Sequence, residues 1–163
     1  MKLFLCASVF ICLAAAVTSI SEGLQSLKDK RIKAIEDCKK EKSGISEEDW
    51  GVVKIRDEPK NDVQHCIMYC VYEKMGIVKD GKLNNEEINK VTLIRHGHNQ
   101  TLFQEEDYLS KTCQKSVENS YSKITNKCYI PNAYHACVPK KRAERVANAQ
   151  KQKEKFEAMS IMT

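Results

Sequence analysis

Six cysteines in the body of the chain constrain its fold more than any other feature of the sequence. They are separated by gaps of 27, 3, 42, 14 and 8 residues, and they are Cys38, Cys66, Cys70, Cys113, Cys128 and Cys137. Six cysteines in a short secreted chain predict three disulfides. A gap of three residues on a helix places Cys66 and Cys70 on the same face. That helix is then tied to two different parts of the chain.

The N-terminus predicts that the chain is secreted. Residues 1–19 carry one lysine at position 2, continue with an almost wholly apolar run over residues 3–17, and end in small residues suited to cleavage, as a signal peptide does. The run is short for a membrane span, and no later stretch is apolar enough to cross a bilayer. Cleavage of this segment removes Cys6 and Cys12 and leaves six cysteines in the mature protein. A signal peptide directs export, so the mature protein is expected to be extracellular, where disulfides persist.

Charge divides the mature chain into two parts. Residues 20–137 carry 19 basic and 19 acidic side chains, whereas residues 138–163 carry seven basic and three acidic ones. We therefore predict one domain over residues 20–139, of a size that needs disulfides but can build one core, and a basic tail over residues 140–163. A neutral domain argues against nucleic acid as a partner.

Helical periodicity dominates the domain and predicts an all-α fold of six helices. The helices are expected over residues 22–42, from Ser46 through Val53, over 62–75, from Asn84 through Ile94, from Thr101 to Tyr121, and over 130–138, with a turn at Asp80-Gly81. The residues expected to cap the second to fifth helices are Ser46, Asn61 or Asp62, Asn84 and Thr101. The third helix is apolar nearly all round, which is typical of a buried central helix. Beyond residue 138 the apolar stripe stops, so the tail is predicted to be a solvated extension, helical or flexible.

Geometry limits the disulfide pairing without deciding it. A bond between Cys66 and Cys70 within one helix is unfavourable, because their side chains leave the helix on parallel vectors. Cys128 and Cys137 lie roughly 13 Å apart if both are helical, which is too far for a bond. These two exclusions still leave most of the fifteen possible pairings open.

The order of gaps resembles that of the insect odorant-binding proteins of the pheromone-binding type. Three residues separate the second and third cysteines and eight separate the fifth and sixth, and the segment Met75 to Leu83 resembles the turn that follows the third cysteine in that family. The resemblance covers about residues 22–138. It implies six helices around an internal apolar cavity, no catalytic residues and no cofactor, and a function in carrying small apolar molecules. It also implies the disulfides Cys38–Cys70, Cys66–Cys128 and Cys113–Cys137.

Apolar and aromatic residues on the predicted helices are the candidates for contact with a ligand. We take as candidates Trp50, Ile67, Val71, Met75, Ile88, Val91, Leu109, Val117, Tyr121 and Tyr134, each of which has ordinary core packing as its alternative. Tyr121 and Tyr134 stand out because a hydroxyl inside an apolar site can orient the polar end of a ligand.

Motifs for catalysis or metal binding are not found in the sequence. His96 and His98 flank a glycine, but without a third ligand nearby they predict a solvated loop rather than a metal site. There is no phosphate-binding loop, nucleophile elbow or zinc-protease motif. Asn99-Gln100-Thr101 is an N-glycosylation sequon just before a helix, and occupied and unused sequons are equally compatible with the sequence.

We therefore expect a secreted carrier of small hydrophobic ligands, such as odorants or pheromones, that delivers them through aqueous fluid to receptors. Two alternatives are a carrier or scavenger outside olfaction, in saliva or haemolymph, and a secreted signalling protein with a solid core. Further partners could be a chemosensory receptor or an anionic membrane surface, the latter through the basic tail and apolar anchors at Phe156, Met159, Ile161 and Met162. The expected oligomeric state is a monomer or a weak homodimer.

Overall fold

Helices make up most of the structure, which is a computed structural model. It describes the backbone of residues 2–55 and 58–161, and the side chains of residues 21–53, 58–155 and 157. Over these residues it contains the helices α1 Lys2–Glu41, α2 Glu47–Ile55, α3 Asp62–Lys74, α4 Asn85–His96, α5 Gln100–Glu118 and α6 Ile130–Ile161. Two 3₁₀ turns, Tyr121–Lys123 and Lys127–Tyr129, link α5 to α6. The predicted all-α fold class is confirmed.

Short polar side chains fix where several helices begin. The Ser46 hydroxyl accepts a hydrogen bond of 3.1 Å from the backbone N–H of Asp49 at the start of α2. The Asn61 side chain accepts one of 2.9 Å from the N–H of Gln64 at the start of α3, and Asn84 caps α4 in the same way. Such caps pair backbone donors that the first helical turn leaves free, so these predicted helix starts are confirmed.

A small hairpin follows α3 and was not predicted. Gly76 has a φ of +77°, a left-handed conformation that stops the helix without steric strain. The strands β1 (Val78–Lys79) and β2 (Lys82–Leu83) then pair antiparallel. Asp80 and Gly81, with φ of +52° and +72°, form the two-residue turn between them, as predicted.

Three boundaries differ from the sequence predictions. α1 is longer than the predicted first helix, because its backbone continues N-terminally to Lys2. α5 is capped by Asn99 rather than by Thr101, and it ends at Glu118, so Tyr121 lies in the following 3₁₀ turn instead of on the helix.

The sixth helix also exceeds its prediction. It does not stop near Val138 but runs through Pro139 to Ile161 as one continuous helix, so the basic tail is its extension. Along residues 142–155 every described side chain is exposed, which confirms the prediction of a solvated surface for that part of the tail. Among the described residues, no helix is long and apolar enough to span a membrane.

The core is centred on α3. Seven of its residues are buried: His65, Ile67, Met68, Tyr69, Cys70, Val71 and Tyr72. α1 and α2 pack on this helix, α6 approaches it as well, and α5 packs against both α4 and α6. The prediction of a buried central helix is confirmed, and its continuous apolar surface is explained by neighbours on several sides.

Three disulfides join these elements. Cys38–Cys70 links α1 to α3, Cys66–Cys128 links α3 to the 3₁₀ turn before α6, and Cys113–Cys137 links α5 to α6. The corresponding Cα–Cα distances are 6.0, 4.6 and 5.7 Å, all within the range of unstrained bridges. These are the three pairs that the family resemblance implies.

Candidate ligand-binding cavity

A cavity of about 790 Å³ lies between α3, α4, α5 and α6. This volume is within the range of pockets that hold small organic ligands. Its wall is formed by Arg31, Glu58, Met68, Tyr72, Met75, Ile77, Ile88, Val91, Thr92, Arg95, His96, Glu106, Ser110, Asn132, Tyr134, His135, Ala136, Val138, Pro139 and Arg142. The disulfides hold three of the four surrounding helices, because α3, α5 and the start of α6 each carry or adjoin a bridged cysteine.

The inner part of the wall is apolar. α3 contributes Met68 and Tyr72, the segment that follows it contributes Met75 and Ile77, and α4 contributes Ile88 and Val91; all of these side chains are buried. Aliphatic, aromatic and thioether groups offer a ligand dispersion contacts and removal of its apolar surface from water. Methionines add adaptability, because the unbranched side chain adjusts to differently shaped partners.

Charged side chains mark the opening of the cavity. Arg95 and Arg142 line the wall and are exposed, so they lie where the cavity meets solvent. Arg142 of α6 donates to the carboxylate of Glu106 on α5, and this ion pair bridges the two helices at the opening. We call this group, Arg95, Glu106 and Arg142, the mouth. The exposure of the Arg142 side chain limits what this ion pair contributes to stability.

A chain of hydrogen bonds lies behind the wall between α5 and α6. The Ser110 and Tyr134 hydroxyls are 2.8 Å apart, and both residues line the cavity. Gln114 donates through Nε2 to the Ser110 Oγ at 3.0 Å and to the Oδ1 of Asn89 at 3.2 Å. Ser110 and Gln114 are both buried, and a buried polar group needs such partners.

The Tyr134 hydroxyl remains a protonated phenol around neutral pH. Burial raises the pKa of Tyr134, whereas its hydrogen bond with Ser110 and the nearby positive charge of Arg95 lower it, and the negative charge of Glu106 raises it further. The net direction is upward from an ordinary value near 10. The group is therefore a hydrogen-bond donor as well as an acceptor in the physiological range.

Four of the ten predicted contact residues lie on the wall of the cavity: Met75, Ile88, Val91 and Tyr134. The other six, Trp50, Ile67, Val71, Leu109, Val117 and Tyr121, are not on that wall; five of these are buried and Tyr121 is half-buried. The Tyr121 hydroxyl accepts a 2.7 Å hydrogen bond from the backbone N–H of Leu83 in β2. Ligand contact by these six stays a prediction.

Several residues on the wall were missed by the sequence reasoning. Met68 and Tyr72 lie on the helix that is apolar all round, and that pattern already indicated that more than one face of α3 has a buried neighbour. Ser110, Arg95 and Glu106 gave no comparable signal, because polar residues on a helix normally face solvent. Only the packing of α5 against α4 and α6 brings them to the cavity.

Asn99 has a structural role at the start of α5. Its side-chain Oδ1 accepts a 3.0 Å hydrogen bond from the N–H of Leu102, and its side chain is exposed. A glycan would be attached through Nδ2, which this cap does not use. Glycosylation of Asn99 stays a prediction. Within the part of the chain that the structure describes, no group of three or more metal-binding side chains occurs.

The described helices, the three disulfides and the cavity between them define a class of small, disulfide-linked helical proteins. The model of the PBP/GOBP family matches residues 21–147. The chain belongs to this family, which is that of the insect odorant-binding proteins, and the resemblance seen in its cysteine spacing is confirmed. Neither a curated protein nor a solved structure matches the chain significantly.

Proposed function

We propose that the protein binds small hydrophobic molecules in the cavity between α3 and α6 and carries them through extracellular fluid to receptors. The observation that carries this proposal is a cavity of about 790 Å³ whose inner wall is apolar. The family is one of binding and carrier proteins, so the protein acts by binding rather than by catalysis. The cavity is unfilled space next to the core, and a signalling protein with a solid core would not need such a space.

The disulfides support this proposal physically. An unfilled space in a small domain is destabilising, because the surrounding side chains lose packing partners. In the chain-entropy model each disulfide contributes roughly 3–4 kcal/mol by restricting the unfolded chain. Cross-links at α3, α5 and α6 therefore let the helices stay apart around an open cavity.

Secretion follows in this proposal from residues 1–19. We propose that they form a signal peptide that is cleaved after export, so that the domain forms its disulfides in an oxidising compartment. The family is typically secreted, which supports this localisation. Sequencing of the N-terminus of the protein recovered from a eukaryotic culture medium tests it, and retention of residues 1–19 would contradict it.

The carrier function is tested by uptake of an environment-sensitive apolar probe such as N-phenyl-naphthylamine. We expect saturable binding of about one probe molecule per chain, with a blue-shifted and brighter emission because the probe enters an apolar site. The control is the same protein with its disulfides reduced and its chain unfolded in denaturant, which has no cavity. A folded protein that leaves the probe emission unchanged would contradict the proposal and favour a solid core.

The substitution Met75→Trp should weaken the binding of bulky ligands by about tenfold while the protein keeps its helix content. Met75 is buried on the wall of the cavity, so a larger ring at this position occupies space that a ligand needs. The matched control is Val63→Trp near the start of α3, the helix that Met75 caps, at a side chain that is 43% exposed and away from the cavity. Equal affinities of the two variants for a large apolar probe would show that Met75 is ordinary core.

The tail after Lys141 should be dispensable for folding. Its contacts with the domain include the ion pair of Glu106 with Arg142, whose side chain is 44% exposed, and the Arg145 guanidinium 4.8 Å from the ring of the exposed Tyr108. We expect a chain ending at Lys141 to keep its helical domain and to lose no more than about 1 kcal/mol of unfolding free energy. Thermal unfolding followed by circular dichroism tests this, and unfolding of the truncated chain would mean that the tail packs on the core.

The same truncation tests membrane binding by the tail. Seven basic residues in the stretch 138–163 favour an anionic surface, and the predicted anchors Phe156, Met159, Ile161 and Met162 lie outside the described side chains. After sedimentation with phosphatidylserine vesicles, the full chain should be found in the pellet with the vesicles and the truncated chain in the supernatant. Equal sedimentation of both, or of neither, contradicts a membrane role for the tail.

A further inference from the structure

We propose that the Tyr134 hydroxyl is the polar anchor of the cavity and that it donates a hydrogen bond to the carbonyl oxygen of an uncharged, long-chain ketone, aldehyde or ester. The inference rests on the proposed function, since it names the chemical class of ligand that the same cavity takes. It starts from the hydrogen-bond chain between α5 and α6, in which Ser110 and Tyr134 share one contact of 2.8 Å.

The direction of that hydrogen bond follows from the partners of Ser110. Its oxygen already accepts from Gln114 at 3.0 Å, and its side chain is only 3% exposed. If Tyr134 donated to the Ser110 oxygen, the proton of the buried Ser110 hydroxyl would need another acceptor. The hydrogen bonds that Ser110 makes to the described residues provide none. A buried donor without a partner is unfavourable by about 1–3 kcal/mol. Ser110 therefore donates to Tyr134.

This arrangement leaves the phenol proton of Tyr134 for a ligand. Tyr134 is only partly buried and lines the cavity, so a ligand oxygen can reach a donor there while its apolar body packs on Met68, Met75 and Ile88. Because the pKa of Tyr134 is raised, the proton is retained at physiological pH. A ligand without an oxygen leaves this donor unpaired once it has displaced water from the cavity, which lowers its affinity.

The surroundings of Tyr134 favour a neutral oxygen over a carboxylate. The positive charge of Arg95 and the negative charge of Glu106 act on the hydroxyl in opposite directions. Glu106 in turn is paired with Arg142, so the two arginines and one glutamate of the mouth leave one positive charge in excess, at exposed side chains that solvent screens. Burial of a carboxylate against the apolar inner wall is far more costly than burial of a neutral carbonyl group, and the exposed excess charge offsets only part of that cost.

The experiment compares methyl nonyl ketone with its methylene analogue, in which a C=CH₂ group replaces the C=O group at nearly the same shape. Displacement of N-phenyl-naphthylamine gives the affinity of each for the full-length protein and for Tyr134→Phe. We expect the protein to prefer the ketone by about fivefold to tenfold, and Tyr134→Phe to lose this preference, because the variant binds the ketone more weakly and no longer leaves a donor unpaired against the methylene analogue. Tyr108→Phe, at an exposed tyrosine of α5 that does not line the cavity, is the matched control and should keep the preference.

The outcomes separate the inference from the proposed function. If both ligands bind but Tyr134→Phe keeps the preference for the ketone, or the unaltered protein shows none, the inference is overturned and the carrier function stands. If neither ligand nor the probe binds, both are overturned. Infrared spectroscopy of the bound, isotope-labelled ketone needs no variant: a carbonyl stretch lowered from its frequency in hydrocarbon supports the hydrogen bond, and an unshifted one overturns it.

Discussion

Replacing Cys66 and Cys128 together by alanine should lower the free energy of unfolding by about 4 kcal/mol, because the unfolded chain regains the conformational freedom of the loop between them. The two cysteines are separated by 62 positions in sequence, the largest separation among the three disulfides. The bond also holds the central helix α3 to the turn that precedes α6. Its loss therefore loosens two walls of the cavity, and we expect affinity for an apolar probe to fall with stability.

The control for this prediction is the double alanine variant of Cys113 and Cys137, which are separated by only 24 positions. In the same model this bond contributes about 3.5 kcal/mol, so its removal should be less damaging than the removal of the longer loop. Urea unfolding of both variants, followed by circular dichroism at constant protein concentration, gives the two free energies. An equal or reversed order would contradict the chain-entropy explanation for this protein.

Replacing Ile67 by alanine should destabilise the protein by about 4 kcal/mol, and replacing Ile88 by alanine should do so by roughly half as much. The two residues lose the same atoms, so the transfer of those atoms from the interior contributes equally. Ile67 is 0% exposed in the core away from the cavity wall, and the space it leaves is empty. Ile88 lines a cavity that already exists, so its truncation enlarges that space and removes fewer packing contacts.

The two isoleucine variants should also differ in ligand binding. Ile88→Ala widens the cavity and should change the relative affinities for large and small apolar probes, whereas Ile67→Ala should leave them in the same order. Urea unfolding combined with probe displacement measures both effects on the same samples. Equal losses of stability together with equal changes in binding would contradict the assignment of Ile67 to the core and Ile88 to the wall.

Much of the fold could be predicted because its signals are local. Ser46, Asn61 and Asn84 start helices through hydrogen bonds to backbone groups three residues away, and such bonds need no distant partner. Asp80-Gly81 gives a turn because these residue types tolerate a positive φ. The start of α5 was placed two residues too late because Asn99 and Thr101 are both suitable caps, and asparagine is the stronger one.

The disulfide pairing shows where local reasoning stops. Spacing excluded two bonds, and the family resemblance supplied the rest, since nothing in the sequence measures the distance from Cys38 to Cys70 or from Cys66 to Cys128. The structure brings each pair within bonding distance because α1 and the turn before α6 both pack on α3. Nearby sequence determines on which face of a helix a residue lies. The segment that packs against this face is distant in sequence and cannot be inferred in the same way.

Caps, periodicity and cysteine spacing were enough to predict the helices, the family and a buried central helix, because these signals depend on residues close together in the chain or on a preserved order. They could not separate the apolar residues of the core from those that line the cavity. Ile67 and Ile88 have the same side chain and both occupy apolar positions of helices, yet one meets close-packed neighbours and the other meets open space. That difference arises from how α3, α4, α5 and α6 are held apart, and it brings Ser110 to Tyr134 across 24 positions of sequence. Packing between distant segments is a property of the whole fold, and no single segment encodes it.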